Sequence, residues 1–181
     1  MSAMPSAEGN LDWKPLAENL GLVARPVADA SRHVPGAKVA AIDPALADTA
    51  AFCETYDVAP EASANCVVVA GRRGDHATFA AVMVLATDRA DVNRVVRRHL
   101  DVRKLSFMAA EAAQDLTGMR QGGITPIGLP PDWLCLVDAA VVAAGPVVVG
   151  AGVRGAKVLV DGTQLAALPG AEVLDLAMPR E

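Results

Sequence analysis

Aromatic side chains are nearly missing from this chain: three Phe, two Trp and one Tyr make up 3% of 181 residues, although 52% of the residues are apolar. Alanine and valine must therefore fill the core, which favours closely packed strands and small-residue helices over a Phe-rich interior. Cysteine is scarce too. Cys53, Cys66 and Cys135 form an odd set with no CxxC pair, and His33, His76 and His99 are scattered, so zinc spacing and HExxH are both absent. The cysteines read as reduced, buried residues of a cytoplasmic protein. No metal or organic cofactor is expected. Positive charge is in deficit, with 16 Lys and Arg against 21 Asp and Glu and a formal net charge of -5. That argues against a general nucleic-acid coat protein and leaves room only for a local basic face.

Targeting and nucleotide-binding signals are also lacking. The start, MSAMPSAEGN, has neither a basic nor an apolar region of the kind a secretory signal needs. The apolar run from Ala139 to Val153 is broken by Gly145-Pro146 and falls short of the ~20 residues of a bilayer crossing, so it reads as buried strands. There is no GxGxxG, GxxxxGK[ST] or GxSxG. GAGVRG, Gly150 to Gly155, comes near a dinucleotide fingerprint, but strand-like AKVLV follows where a helix N-terminus would be required.

What is present reads as one domain, residues 38–181, preceded by an arm or outward-packed helix over residues 1–37. Lys38 to Asp43 alternates weakly and is expected as an edge strand. Asp43 as N-cap and Pro44 at the first helical position predict a helix reaching Tyr56. NCVVVAG and ATFAAVMVLAT, separated by GRRGD, predict a β-hairpin from Asn65 to Thr87. Asp88 is expected to cap a helix with Val92, Val95, Val96 and Leu100 on one face. Its other face carries Arg94, Arg97 and Arg98, with Arg103 and Lys104 beyond, either a solvated face or a phosphate-contacting ridge. Ala109 to Thr117 reads as helix with Gly118 as its C-terminal glycine. WLCLVD, PVVVGAG, AKVLVD and AEVLDL are expected strands, with a small helix from Gly162 to Leu168. The order of elements gives the α+β class, with a mixed, strongly curved, barrel-like sheet wrapped by helices.

Between the Ala-rich helix and the later strands lies GMRQGGITPIGLPPDW, Gly118 to Trp133, whose middle holds no acid, base or nucleophile apart from Arg120. LTGMRQGGITPIGL, then LVD, GAG and LPGAEV in the same order resemble the YbaK/prolyl-tRNA synthetase-associated editing domains, over roughly Lys38 to Leu176. The resemblance implies an aminoacyl-tRNA deacylase acting in trans on mischarged tRNA, in particular a tRNA for proline, with a synthetase as a further partner. It implies that a G-x-x-x-P loop, here Gly122, Gly123, Ile124, Thr125 and Pro126, holds the aminoacyl ester and a water through main-chain groups. Such a design is physically sound, because an activated ester gains much of its rate from orientation and preorganised hydrogen bonds. By the same resemblance Thr117 and Gly118 form the TG signature, and Gly150, Ala151 and Gly152 form a turn walling the aminoacyl pocket. Asp138 falls at a family position, with either a strand-end structural role or a catalytic one.

One departure from the family stands out. Active relatives carry a lysine near the start of the first hairpin strand, where SANCVVVAG places Asn65. Asparagine donates hydrogen bonds but carries no charge to hold a phosphate or oxyanion. Losing such a contact would cost a few kcal/mol of transition-state stabilisation, about 100-fold in rate. Two readings follow. Either Asn65 serves in an active deacylase, or the chain is a degenerate module that binds an aminoacyl group or tRNA 3' end without hydrolysing it. The tRNA body, in either case, is expected on Arg94, Arg97, Arg98 and Lys104.

Overall fold

The computed structural model describes residues 6–180. Its strands are β1 (Lys14–Pro15), β2 (Lys38–Ala41), β3 (Ala64–Arg73), β4 (His76–Leu85), β5 (Asp88–Ala90), β6 (Lys104–Phe107), β7 (Leu134–Asp138), β8 (Pro146–Gly150), β9 (Ala156–Asp161), β10 (Ala171–Leu174) and β11 (Ala177–Pro179). The helices are α1 (Arg25–Ala30), α2 (Thr49–Tyr56), α3 (Arg97–His99), α4 (Ala110–Thr117), α5 (Ala139–Ala143) and α6 (Gly162–Ala166). The α+β class is as the sequence implied. The strands, however, form three sheets, ordered β1-β2-β9-β8, β10-β7-β4-β3-β6 and β11-β5, and none closes on itself into a barrel. A parallel bridge from Ser63, just before β3, to Val148 in β8 links the first two sheets.

The β3-β4 hairpin is the longest pairing, running from Ala64 opposite Leu85 to Arg73 opposite His76. Alternation along β3 splits its side chains between two layers. Val68 packs with Ala81, Ala113 and Trp133 on one face. Val69 packs with Val82, Val92 and Val96 on the other. The edge strand β6 pairs with β3 only from Val69 to Arg72, so the start of β3 is left open along one edge.

Several elements differ from the sequence-based expectation, each for a local reason. β2 is flanked by both β1 and β9, because the short Lys14–Pro15 strand takes the edge. Leu16, Val23, Val27 and Val34 are buried in the main core, so the described part of the supposed arm is built into it. Its short turns hide any helical period. Asp43 does accept from the amide of Ala45, but it caps a 3-10 turn, Pro44–Leu46, and α2 begins separately at Thr49. Asp88 lies in β5, paired with β11; Asp91 is the cap of a π-helical turn, Val92–Val96, that leads into α3. The start of the Ala139 run is helix α5, capped by Asp138, and strand β8 follows only after Gly145. The C-terminal glycine of α4 is Gly118, in left-handed geometry at φ 70°, as its sequence position suggested.

Candidate functional site

The open edge of β3, the start of α2, the Gly122 loop and the end of β8 enclose a cleft of about 460 Å³, a size that suits a small ligand. Gln121, Gly122 and Ile124 line it from the loop, Gly150 and Lys157 from β8 and β9, and Asn65, Cys66 and Val68 from β3.

Backbone bonds join the loop to the turn at Gly152. The Gly123 amide donates to Arg120 O at 2.9 Å, and Gly123 O accepts from the Gly152 amide at 2.6 Å. The Arg120 amide returns a bond to Gly152 O at 2.9 Å, so the two glycine turns are zipped together. Close approach explains the residue type. A Cβ on Gly123 would collide with the Val153 backbone, and one on Gly150 would sit 2.5 Å from Gly123 O and 2.8 Å from Ile124 O. Gly122, at φ 86°, adopts a conformation that side chains disfavour, and Arg154 covers the position a Cβ would take.

The sequence-derived site residues do not all face this cleft. Gly122, Ile124, Gly150 and Asn65 line it. Ala151 is fully buried behind the loop, where its carbonyl accepts from the Ala24 amide, and Gly152 presses against Ala24. Thr117 and Pro126 line a separate groove on the α1 side. The Thr117 hydroxyl donates to Ala113 O and accepts from the Met119 amide, the work of a helix-end residue. Thr125 is buried, and its hydroxyl has no partner among the described residues. Arg94, Arg97 and Arg98 are exposed, on a turn that covers the Val69 face of the sheet, across from α4 and Ile124. Arg94 pairs with Asp91 at 3.4 Å and Arg97 donates to Asn93 O, which leaves Arg98 without a partner among the described residues.

Asn65 stands where the cleft meets a larger neighbouring groove that also touches Cys53, Glu54 and Arg180. The Thr49 hydroxyl donates to Asn65 Oδ1 at 2.5 Å. This bond fixes the amide, and Nδ2 keeps its two donors uncommitted among the described residues.

Three contributors escaped the sequence reading: Thr49, Arg154 and Lys157. Arg154 Nη1 donates to Gln121 O and Nε to Pro44 O, while Nη2 lies 3.7 Å from Asp48 Oδ1. It thus ties the loop to the segment before α2. Lys157 is buried, with Nζ donating to Ala47 O at 3.1 Å and lying 5.2 Å from the Phe52 ring centroid. Burial, more than any neighbour, holds its ammonium below the ordinary lysine range. The one hint in the sequence was a lysine set among the apolar residues of β9.

Cys66 lines the cleft, but its thiol is no ready nucleophile: burial, with Cys135 adding to it, raises its pKa. Burial pushes Cys135 up to about 12 and raises Cys53 as well. No histidine lines the cleft. All three thiols should therefore stay unmodified by iodoacetamide at pH 8 on a timescale that fully labels the unfolded chain. Mass spectrometry checks this, and rapid labelling of native Cys66 would contradict it. Trp133 stacks on Phe79 at 5.5 Å between ring centroids and is a packing residue. Among the described residues no three His, Cys, Asp or Glu side chains gather as a metal site. No helix among them is long and apolar enough to cross a membrane.

The family model for the aminoacyl-tRNA editing domain matches residues 43–168, which contain both glycine turns and Asn65. No curated protein matches the chain. Among solved structures, a hypothetical protein, APE2540, superposes with TM-score 0.75 at 19% identity, covering 85% of this chain and 100% of its own. A structure described as that of a proposed trans-editing enzyme for prolyl tRNA synthetase superposes with TM-score 0.72 at 22% identity, covering 85% and 96%. At such identities the likeness establishes the shared fold.

Proposed function

The chain belongs to the aminoacyl-tRNA editing domain family, and from that membership we propose that it is a deacylase that hydrolyses the ester of mischarged tRNA in trans. The observation that carries this reading is the glycine loop itself, which lines a small cleft with main-chain groups and is clamped there by the Gly152 and Arg154 contacts. The tRNA 3' end enters the cleft, and the Gly122 to Pro126 loop, through the backbone at Gly122 and Ile124, orients the ester and a water. The Nδ2 group of Asn65, its amide oriented by Thr49, donates a hydrogen bond to the substrate. A hydroxyl of the terminal adenosine assists the attack. The favoured substrate is a tRNA for proline carrying a small residue such as alanine, serine or cysteine, since larger side chains are excluded sterically. The cytoplasm, where aminoacyl-tRNA is made and consumed, is the proposed place of action, with a synthetase as a partner.

In this reading the tRNA body passes the open edge of β3 and the exposed Lys104 to reach Arg94, Arg97 and Arg98. Replacing the three arginines with glutamine should weaken tRNA binding and flatten its dependence on salt by roughly 0.7–0.9 log units per lost phosphate contact. Filter binding across a salt series measures both; an unchanged slope would make the arginines a solvated face. The function itself is tested by incubating the protein with a panel of labelled aminoacyl-tRNAs and following ester loss. Small mischarged residues on the tRNA for proline should be released fastest, and a protein that binds the panel without release would be a binding module.

A further inference from the structure

Among the described residues, Asp48 and Lys157 are the two charged residues that line the cleft. Asp48 is exposed and faces Arg154. Lys157 is the opposite case, a lysine only 8% exposed. It has no carboxylate within ion-pair distance among the described residues, and one of its three donors is used, on Ala47 O. Burying a charge without a counter-ion works against folding, and a hydrophobic side chain of the same length would pack among Phe52, Val148 and Leu159 without that penalty. The backbone fixes where the remaining donors can act. Lys157 is the register partner of Gly150, where an added Cβ would run into the carbonyls of Gly123 and Ile124. Lys157 therefore lines the cleft from the strand paired with Gly150, its Nζ resting against Ala47 O just before α2.

Building on the deacylase reading, we propose that the Lys157 ammonium is the cation of the reaction, donating to the ester carbonyl oxygen as negative charge develops there. Water oxygen bonds to the carbonyl carbon, and the carbonyl electron pair moves onto oxygen, facing Nζ. Collapse breaks the bond between that carbon and the ribose oxygen. One water proton ends on the ribose oxygen, and the other is released as the amino acid's carboxyl group ionises. A buried cation facing developing charge needs little reorganisation during the step, which is where such a donor contributes most. Asn65, uncharged, then orients the ester, while the charge comes from a different strand.

The groups around Lys157 define its pH behaviour. Burial lowers its pKa; Cys53 from α2 and Asp48 from the preceding turn raise it, and Arg154 lowers it further. The protonated form is lost as pH rises, and with a lowered pKa that loss begins below the ordinary lysine range. The test measures kcat and KM from pH 6 to 10, with melting temperatures, for the natural protein, Lys157→Met and Lys157→Arg on an aminoacyl-tRNA the natural protein hydrolyses. Lys157→Met should lower kcat about 100-fold or more with little change in KM, and melt no lower than the natural protein. Lys157→Arg should keep part of kcat, with the alkaline decline displaced beyond the range, because arginine stays charged. Natural kcat and pH profile in Lys157→Met would overturn the role of Lys157 and leave the deacylase standing. A natural protein inert on every aminoacyl-tRNA would overturn both. Should Lys157→Met not fold, an alkaline limb unmoved in Lys157→Arg overturns the proposal.

Discussion

Gly150→Ala should slow ester hydrolysis by about 100-fold or more while leaving the protein folded. The added Cβ would lie 2.5 Å from Gly123 O and 2.8 Å from Ile124 O, and both are backbone atoms that no rotamer change can move. The loop must back away, and with it the 2.6 Å bond from the Gly152 amide to Gly123 O. Displacement by about an ångström is enough to misalign a water with an ester carbonyl. Stability should fall by only about 1–3 kcal/mol, the usual range for an overpacked site. The expected result is thus a kcat/KM loss far larger than the fall in urea midpoint would suggest. A Gly150→Ala variant with natural kcat/KM would show that the position of the loop backbone does not set the rate.

The largest effect on stability alone should come from Asp138→Ala, at roughly 2–4 kcal/mol. Asp138 is 4% exposed and sits where β7 runs into α5. Its Oδ2 accepts from the Ala140 amide at 3.2 Å, capping α5, and its Oδ1 accepts from the Leu176 and Ala177 amides at 3.1 and 3.2 Å. One carboxylate therefore joins a helix start to the segment between β10 and β11. Losing a cap costs about 1 kcal/mol, and each buried amide left without an acceptor adds about 1–3 kcal/mol before relaxation. At about 2–4 °C per kcal/mol for a chain of this size, the melting temperature should drop by roughly 5–15 °C. Asp138→Asn, which keeps one acceptor oxygen, should lose less. Denaturation of both variants checks the order, and an Asp138→Ala protein as stable as the natural one would contradict the bonding described.

The hairpin was legible because β-branched runs flank a glycine turn, and so was the end of α4, where Gly118 alone could take the left-handed turn. The boundaries around Asp88 were not, since a three-residue strand leaves no period and Asp91 is as good a cap as Asp88. The site divides in the same way. Gly122, Ile124 and Gly150 were reachable through the family resemblance, whose glycine spacing answers to close backbone packing at Gly122 and Gly150. Thr49 and Lys157 reach the cleft from elements 16 residues before Asn65 and seven after Gly150, and only the pairing of β8 with β9 and the turn into α2 brings them there. No local pattern records that pairing. Arg154 was hidden for a similar reason: its bonds to Pro44 O and Gln121 O span 110 and 33 residues.

The most direct measurement follows ester loss from alanyl-tRNA for proline, with prolyl-tRNA beside it, in the presence of the natural protein, Gly122→Ala and Asn65→Lys. A backbone-driven deacylase predicts release of alanine by the natural protein, sparing of the prolyl ester, and loss of activity in Gly122→Ala. If the natural protein released nothing and only Asn65→Lys were active, the central claim would be contradicted, and the cleft would belong to an editing fold that binds without cleaving.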